Sequence, residues 1–150
     1  MERKEVIDKI KIRFDSLKNE LKNELHDLQT SLQQETKSSM GDKYETQREM
    51  IQQEITRAQE QLANLENQIF VSDLNPNYEY IQNGNIVELV FNKNTISVYI
   101  GVSIGDVKIE NKSTIKTVSL SSPLGKLLIG KQKGDKIILN NNPYLIQFCY

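Results

Sequence analysis

The sequence of 150 residues contains no tryptophan, one cysteine and one histidine. The lone Cys149 cannot form an internal disulfide and cannot build a cysteine zinc site. The lone His26 leaves no Ser/His/Asp set and no pair of histidines for a metal. We therefore expect both to be structural residues, Cys149 in a terminal strand and His26 beside a helix seam, and we expect the chain not to be an enzyme by itself.

Long apolar runs are also missing. No stretch of about 18 apolar residues occurs, so no segment is expected to span a membrane. The start of the chain, Met1-Glu2-Arg3-Lys4-Glu5, is charged and has no apolar signal core. With 37% hydrophobic and 26% charged residues, the composition is that of a soluble globular protein, which we expect to be cytoplasmic.

Proline and glycine are scarce in the first half only. Residues 1–75 contain no proline and one glycine, Gly41, whereas the second half contains three prolines and six glycines. Turn-forming residues begin in the stretch 71–77. We therefore predict two domains, at residues 1–72 and 78–150.

Charge divides in the same place, although the net charge is only −1. Residues 1–75 contain 11 Lys and Arg against 15 Asp and Glu, and residues 76–150 contain 8 against 5. The basic residues are too few and too dispersed for a protein that holds duplex DNA through phosphate contacts alone. An acidic first half joined to a mildly basic second half is the result.

The first half has the apolar period of two helices. Apolar residues recur at steps of three and four on each side of a break at residues 36–43. The series before the break is Ile7, Ile10, Phe14, Leu17, Leu21, Leu25, Leu28 and Leu32. The series after it is Tyr44, Ile51, Ile55, Ala58, Leu62, Leu65 and Ile69. We predict helices over residues 3–36 and 43–70.

The two series are related by a constant sum. The residue numbers of Leu32 and Tyr44, Leu25 and Ile51, Leu21 and Ile55, Phe14 and Leu62, and Ile7 and Ile69 each add to 76. Such a relation predicts two antiparallel helices in register, that is, a helical hairpin with a narrow coiled-coil seam. A hairpin within one monomer is expected, although a swapped dimer, or a scaffold that pairs with another chain, would satisfy the same register.

The second half has the pattern of strands. Strands are predicted at 86–91, 95–100, 106–110, 115–120, 136–139 and 144–150, with asparagine-rich turns at 92–94 and 140–142. Between the fourth and fifth strands, Ser122, Pro123 and Gly130 bracket a short capped helix. The fold class is therefore α+β, a long antiparallel helical hairpin followed by a small, mainly antiparallel β domain with one short helix.

Two stretches of the sequence carry recognisable motifs, Gly41-Asp42-Lys43-Tyr44-Glu45 and, later in the chain, the stretch from Ser122 to Asp135. In this order they resemble the tip pattern GD-x-x-E and the C-terminal pattern SP-x4-L-x-G-x3-GD of the Gre family of bacterial transcript-cleavage factors. The resemblance covers residues 10–139. It implies a coiled coil followed by a domain of FKBP-like fold.

The same resemblance implies a function. Gre factors bind RNA polymerase at its secondary channel and extend the coiled coil toward the active site, where they assist cleavage of backtracked RNA at its 3′ end. By this resemblance, Asp42 and Glu45 are the catalytic and metal-binding residues, acting in trans. They would share a Mg²⁺ ion with the polymerase and would not hold it stably alone, since two exposed carboxylates cannot offset its dehydration.

Alternatives remain open for these residues. Asp42 and Glu45 are spaced as a capping box, in which each side chain accepts a backbone N–H of the other end. The family continues its tip with asparagine, a small residue, glutamate and tyrosine, whereas this chain has Thr46-Gln47-Arg48-Glu49. A channel-binding antagonist without cleavage activity is therefore the alternative function.

A partner-binding surface is predicted from Tyr44 at the tip and from the lysines around the short helix. Lys126, Lys131 and Lys133, with Lys136 nearby, could meet an acidic rim of polymerase or a nucleic-acid backbone. Lysines of this kind also serve simply to solvate a surface.

Overall fold

The computed structural model describes residues 2–35, 42–71, 79–110 and 113–150. The chain forms the helices α1 (Arg3–Glu35), α2 (Asp42–Glu66) and α3 (Pro123–Leu128). The strands are β1 (Ile86–Phe91), β2 (Asn94–Gly101), β3 (Asp106–Lys108), β4 (Thr114–Ser119), β5 (Lys136–Leu139) and β6 (Asn142–Cys149). The predicted α+β class is confirmed. None of the helices in these ranges is long and apolar enough to cross a membrane.

The chain divides into two compact units. One, here called the helical unit, contains Asp15–Asn67; the other, here called the β unit, contains Met1–Phe14 and Gln68–Tyr150. The division falls within α1, so the first turns of that helix belong to the β unit. By composition the helical unit has 6 Lys and Arg against 11 Asp and Glu, and the β unit has 13 against 9.

The helical unit buries the predicted stripe. On α2, Ile55, Ala58 and Leu65 are buried, and the other stripe positions are half-buried. Those positions are Leu17, Leu21, Leu25, Leu28, Leu32, Ile51 and Leu62. Most polar positions between them are exposed, and so is His26. A narrow apolar seam with water on the remaining faces is the pattern of a two-helix coiled coil.

The short connection fixes the direction of the two helices. From Glu35 to Asp42 the chain takes seven steps, which span at most roughly 25 Å. The part of α1 in the helical unit, Asp15–Glu35, is about 30 Å long. A connection of that reach cannot return along the helix to start α2 in parallel, so the apolar seams of α1 and α2 can face each other only if the helices run antiparallel.

The second helix ends four residues before its predicted end. It stops at Glu66, not at residue 70, and Ile69, assigned to the seam by the sum of 76, is 67% exposed. Phe70 instead belongs to an extended segment of the β unit. Its ring lies 6.2 Å from that of Phe14 and 6.0 Å from that of Tyr99, measured between centroids. The half-buried Phe70 thus packs against aromatic rings of the β unit, whereas Ile69 is exposed.

The β unit is built on a six-stranded sheet of order β3-β4-β2-β1-β6-β5. Four neighbouring pairs are antiparallel, and β2 and β4 are parallel. The turns β1–β2 and β5–β6 have two central residues each, Asn92-Lys93 and Asn140-Asn141, all with positive φ. Positive φ at both positions is the type I′ geometry that matches strand twist, and asparagine tolerates it well.

The two faces of the sheet are covered differently. One face carries a core of Val87, Leu89, Val98, Ile100, Ile137 and Ile146, packed with Ile81 and with Leu128 of α3. On the opposite face lie Ile86 and Tyr99, which are paired in register and are both 0% exposed. The first turns of α1 are buried in the same unit through Val6, Ile7, Ile10 and Phe14.

Tyr99 connects this second face to the chain that follows α2. Its hydroxyl donates to the carbonyl oxygen of Val71 at 3.1 Å and accepts the Val71 N–H at 3.3 Å. Arg3 adds a second tie, since its guanidinium donates to the carbonyl oxygens of Tyr150 and Gly84, each at 2.8 Å. Burial raises the pKa of the Tyr99 phenol, partly offset by the hydrogen bond to Val71 and the charge of Arg3.

We expect Tyr99→Phe to lower the free energy of unfolding by about 1–3 kcal/mol, because both polar groups of Val71 lose their partner. Urea unfolding followed by circular dichroism measures the change. Tyr144→Phe is the matched control: Tyr144 is half-buried beside Phe91, and its loss should stay within about 0.5 kcal/mol. Equal losses in the two variants would contradict the assigned role of the Tyr99 hydroxyl.

The raised pKa of Tyr99 predicts a loss of stability in alkali. Folding favours the protonated phenol, so its contribution is complete below the unfolded pKa of about 10 and declines as pH rises through the higher folded value. The unfolding free energy of the native chain should therefore fall more steeply above pH 10 than that of Tyr99→Phe. Parallel pH profiles for the two proteins would show that Tyr99 does not titrate in this way.

Candidate functional site at the start of α2 and the basic surface after α3

The acidic pair lies at the start of α2. The helix begins at Asp42, one residue before the predicted start, and Glu45 lies one turn further on and is exposed. Residues three apart on a helix share a face. The structure thus places Glu45 at the surface, whereas the side chains of Asp42 and Tyr44 and the connection 36–41 lie outside the described residues. Whether the pair forms a capping box stays a prediction.

The acidic pair is also the predicted magnesium site. Magnesium prefers carboxylate oxygens and keeps several waters. Among the residues that the structure describes, no group of three or more His, Cys, Asp and Glu side chains is placed to hold a metal ion. Whether Asp42 and Glu45 share an ion with a partner stays a prediction.

The polar face of α2 continues beyond Glu45. Glu49, Gln52, Gln53 and Thr56 line a shallow surface groove, and Met50 between them is 58% exposed. Thr56 donates its hydroxyl proton to the backbone carbonyl oxygen of Gln52 at 3.1 Å. The groove follows from the i, i+3, i+4, i+7 spacing on one helix face.

The basic candidates lie around α3. Lys126 is on the helix, Lys131 and Lys133 are in the turn that follows it, and Lys136 begins β5; all four are exposed. The backbone of this turn is held to the sheet. The carbonyl oxygen of Lys131 accepts the Ile81 N–H at 2.7 Å, and the Gly134 N–H donates to Ile146 at 2.8 Å. A backbone held by these hydrogen bonds thus carries exposed cationic side chains.

The motif residues around these lysines have structural duties. Ser122 caps α3: its hydroxyl accepts the Gly125 N–H at 3.0 Å and donates to the carbonyl oxygen of Ser119 at 2.7 Å. Pro123 takes the first helical turn, where its missing N–H costs nothing. A Cβ on Gly125 would overlap the carbonyl oxygen of Ser119.

The end of the motif is structural as well. Gly130 has φ +80° and donates its N–H to Ile81 at 2.9 Å, a left-handed position that favours glycine after a helix. The carboxylate of Asp135 accepts the Gln132 N–H at 2.9 Å. The motif therefore specifies a capped helix and a tight turn against the sheet, and its lysines are exposed at the surface.

Three residues that sequence reasoning did not single out organise the β unit. They are Arg3, Phe70 and Tyr99, whose contacts join the start of α1, the segment after α2 and the sheet. Lys11 adds a cation–π contact, with its Nζ 5.7 Å from the centre of the Phe70 ring. An aromatic residue just after the last helical stripe position was the available signal for Phe70.

Comparisons with known proteins give structural likeness alone. No protein-family model matches the chain, and no curated protein matches its sequence. The structure is similar to that of GreA factor homolog 1 (Gfh1) of Thermus thermophilus, with 21% identity over 91% of this chain and 94% of that chain and a TM-score of 0.39.

Two further solved structures are similar to the same degree. A structure of the transcription factor Gfh1 has 23% identity over 91% of this chain and 92% of that chain, with a TM-score of 0.38. Gfh1 of Thermus aquaticus has 23% identity over 93% and 95%, with a TM-score of 0.38.

We expect Ser122→Ala to lower the free energy of unfolding by about 1 kcal/mol, since the substitution removes the cap of α3. Thermal or urea unfolding measures the loss. The neighbouring Ser121 is exposed, and Ser121→Ala should change stability by less than about 0.5 kcal/mol. If the two substitutions cost the same, the cap is not what stabilises this turn.

Proposed function

We propose that this protein is a transcription elongation regulator that binds RNA polymerase and inserts its helical hairpin into the secondary channel. There Asp42 and Glu45 would assist the cleavage of backtracked RNA by the polymerase. The observation that carries the proposal is the exposed Glu45 in the first turn of α2, next to a short connection between two long antiparallel helices.

Helix length supports the reach that this role needs. The helical unit contains Asp15–Glu35 of α1 and the whole of α2, which has 25 residues; these correspond to about 30 and 38 Å. The outer faces of the helices are polar, so the hairpin can stand in a water-filled channel without exposing an apolar stripe. The start of α2, which carries the acidic pair, is the part of the helical unit that would enter first.

The role of the carboxylates follows from their chemistry. A second magnesium ion in the polymerase active site, when bound, stabilises the attacking and leaving oxygens of phosphodiester cleavage. Glu45 and Asp42 would supply oxygen ligands from one helix face and would orient water by accepting its protons in hydrogen bonds. A helix start is rigid enough to hold two carboxylates at a fixed separation, which is what positioning requires.

Docking is proposed to use the basic surface. The β unit has 13 Lys and Arg against 9 Asp and Glu, and Lys126, Lys131 and Lys133 are exposed beside α3. An acidic rim on the polymerase would complement them and would raise the association rate at low salt. Tyr44 is proposed to contact the partner at the tip.

A second candidate function keeps the docking without the chemistry. The tip continues with Thr46-Gln47-Arg48-Glu49, and Arg48, exposed on α2, lies one turn from Glu45. A cation there would compete for the carboxylate in a way that weakens a shared metal site. This observation favours a channel-binding antagonist that inhibits transcription or retunes it.

Cleavage of stalled complexes tests the proposal. Backtracked complexes of bacterial RNA polymerase should release 3′ RNA fragments faster with the protein than without it. The double variant Asp42→Asn with Glu45→Gln should lose the stimulation, by roughly tenfold or more, because neutral amides are poor ligands for magnesium. Pull-down with core polymerase should be unchanged by the double variant, since docking uses the β unit.

Glu49→Gln is the matched control, because Glu49 is an exposed carboxylate one turn further along the same helix. The Glu49→Gln protein should stimulate cleavage by the polymerase as much as the native protein does. Binding without any stimulation by the native chain would favour the antagonist. A concentration-independent dimer with no affinity for polymerase would favour the coiled-coil scaffold, and stimulation that survives the double variant would show that other residues act.

A further inference from the structure

We propose that Asn83-Gly84 is a latent site of deamidation, a covalent self-modification that proceeds through a cyclic imide. The folded β unit, with help from Arg3, suppresses this reaction. The pair is the one Asn-Gly sequence in the chain. It lies in the turn that leads into β1, with Asn83 half-buried and Gly84 buried. The proposal is independent of the transcription role.

The reaction needs a free backbone nitrogen. The nitrogen of Gly84 loses its proton and attacks Cγ of the Asn83 side chain, so that a new C–N bond forms and the amide nitrogen leaves as ammonia. Water then opens the five-membered imide at either carbonyl and gives aspartate or iso-aspartate at position 83. Glycine as the second residue favours the attack because it has no Cβ to block the approach.

The structure engages the attacking nitrogen. The Gly84 N–H donates to the carbonyl oxygen of Ile100 at 2.7 Å, and the Ile100 N–H donates to Asn85 at 3.0 Å. On the other side of the same residue, the Gly84 carbonyl oxygen accepts from Nη2 of Arg3 at 2.8 Å. The nitrogen can therefore turn toward Asn83 only after the hydrogen bond to the sheet has opened.

The turn is closed by its own residues as well. The side-chain oxygen of Asn85 accepts the Gln82 N–H at 2.6 Å, and the Asn85 N–H donates to the Gln82 carbonyl oxygen at 3.2 Å. Gly84 has φ +94°, and a Cβ there would meet the side chain of Val71. Opening the turn thus also disturbs the contact with Val71, which Tyr99 holds.

The product would not fit the folded state. Nδ2 of Asn83 donates to the carbonyl oxygen of Ile69 at 3.4 Å, and replacement of that nitrogen by an oxygen sets two acceptors against each other. The other side-chain atom, Oδ1, is buried and has no hydrogen-bond partner. A carboxylate at this place would bury charge without a donor. Deamidation should therefore loosen the segment Gln68–Val71 from the sheet.

The rate in the native protein should follow local opening. If the reaction proceeds only from the open turn, its rate is the rate in the unfolded chain multiplied by the fraction that is open. Tenfold protection corresponds to about 1.4 kcal/mol of opening free energy. Because Arg3 holds the Gly84 carbonyl, Arg3→Gln should raise the open fraction without altering Asn83 or Gly84.

Peptide mapping by mass spectrometry measures the reaction during incubation at mildly alkaline pH. The native chain should deamidate at Asn83 roughly tenfold or more slowly in buffer than in urea. Arg3→Gln should react several-fold faster than the native chain in buffer and equally fast in urea. Arg48→Gln, at an exposed arginine of α2, is the matched control and should behave like the native chain.

Equal rates for the native chain in buffer and in urea would overturn the proposal, and so would an unchanged rate in Arg3→Gln. Should Arg3→Gln fail to fold, hydrogen exchange of the Gly84 amide in the native chain decides: protection supports the proposal and free exchange refutes it. The product itself can be mimicked, since Asn83→Asp should melt at a lower temperature than Asn94→Asp, which changes an exposed asparagine.

Discussion

The β unit depends on burying Tyr99 between the sheet and the chain that leaves α2. The side chain is 0% exposed, yet its hydroxyl is satisfied by both backbone groups of Val71. A buried phenol of this kind is acceptable only when a partner is provided, and here the partner is main chain. The position of the segment Gln68–Val71 is thereby determined, and Phe70 is held between Phe14 and Tyr99.

This constraint explains why the helix boundaries depart from the period. Ile69 continues the step of three and four, and the arithmetic of the hairpin favours it as a seam residue. In the structure the chain leaves the helix at Glu66, and Phe70 packs against the rings of Phe14 and Tyr99 while Ile69 is exposed. Local periodicity cannot predict the contact of Phe70 with Tyr99, because Tyr99 lies 29 residues further along the chain.

Other parts of the fold could be predicted closely. The strands β1 and β5 have their predicted bounds, since each is a β-rich run that ends in an asparagine turn. β6 begins two residues earlier than predicted, at Asn142, because the turn uses two residues and not three. The parallel pairing of β2 with β4 could not be predicted, because it depends on which edges the intervening chain leaves available.

The charged residues of the candidate site could be predicted from the sequence, but the backbone geometry around them could be predicted less well. The exposure of Glu45 agrees with its polar neighbours in the sequence, whereas Lys126 is exposed although its neighbours are apolar. The motif from Ser122 to Asp135 proves to specify backbone geometry, through a cap, a close approach at Gly125 and a left-handed glycine. A motif of that nature indicates a fold more strongly than a function, so the chemistry must be argued from the acidic pair.

The β unit is assembled from two distant stretches of chain, since Met1–Phe14 joins Gln68–Tyr150. Synthesis on the ribosome delivers these stretches at very different times. Residues that pair with Arg3, such as Gly84, emerge long after it, whereas the helices of Asp15–Asn67 are complete well before the sheet. The apolar residues in the first turns of α1 therefore stay exposed during synthesis until the strands that bury them have been translated.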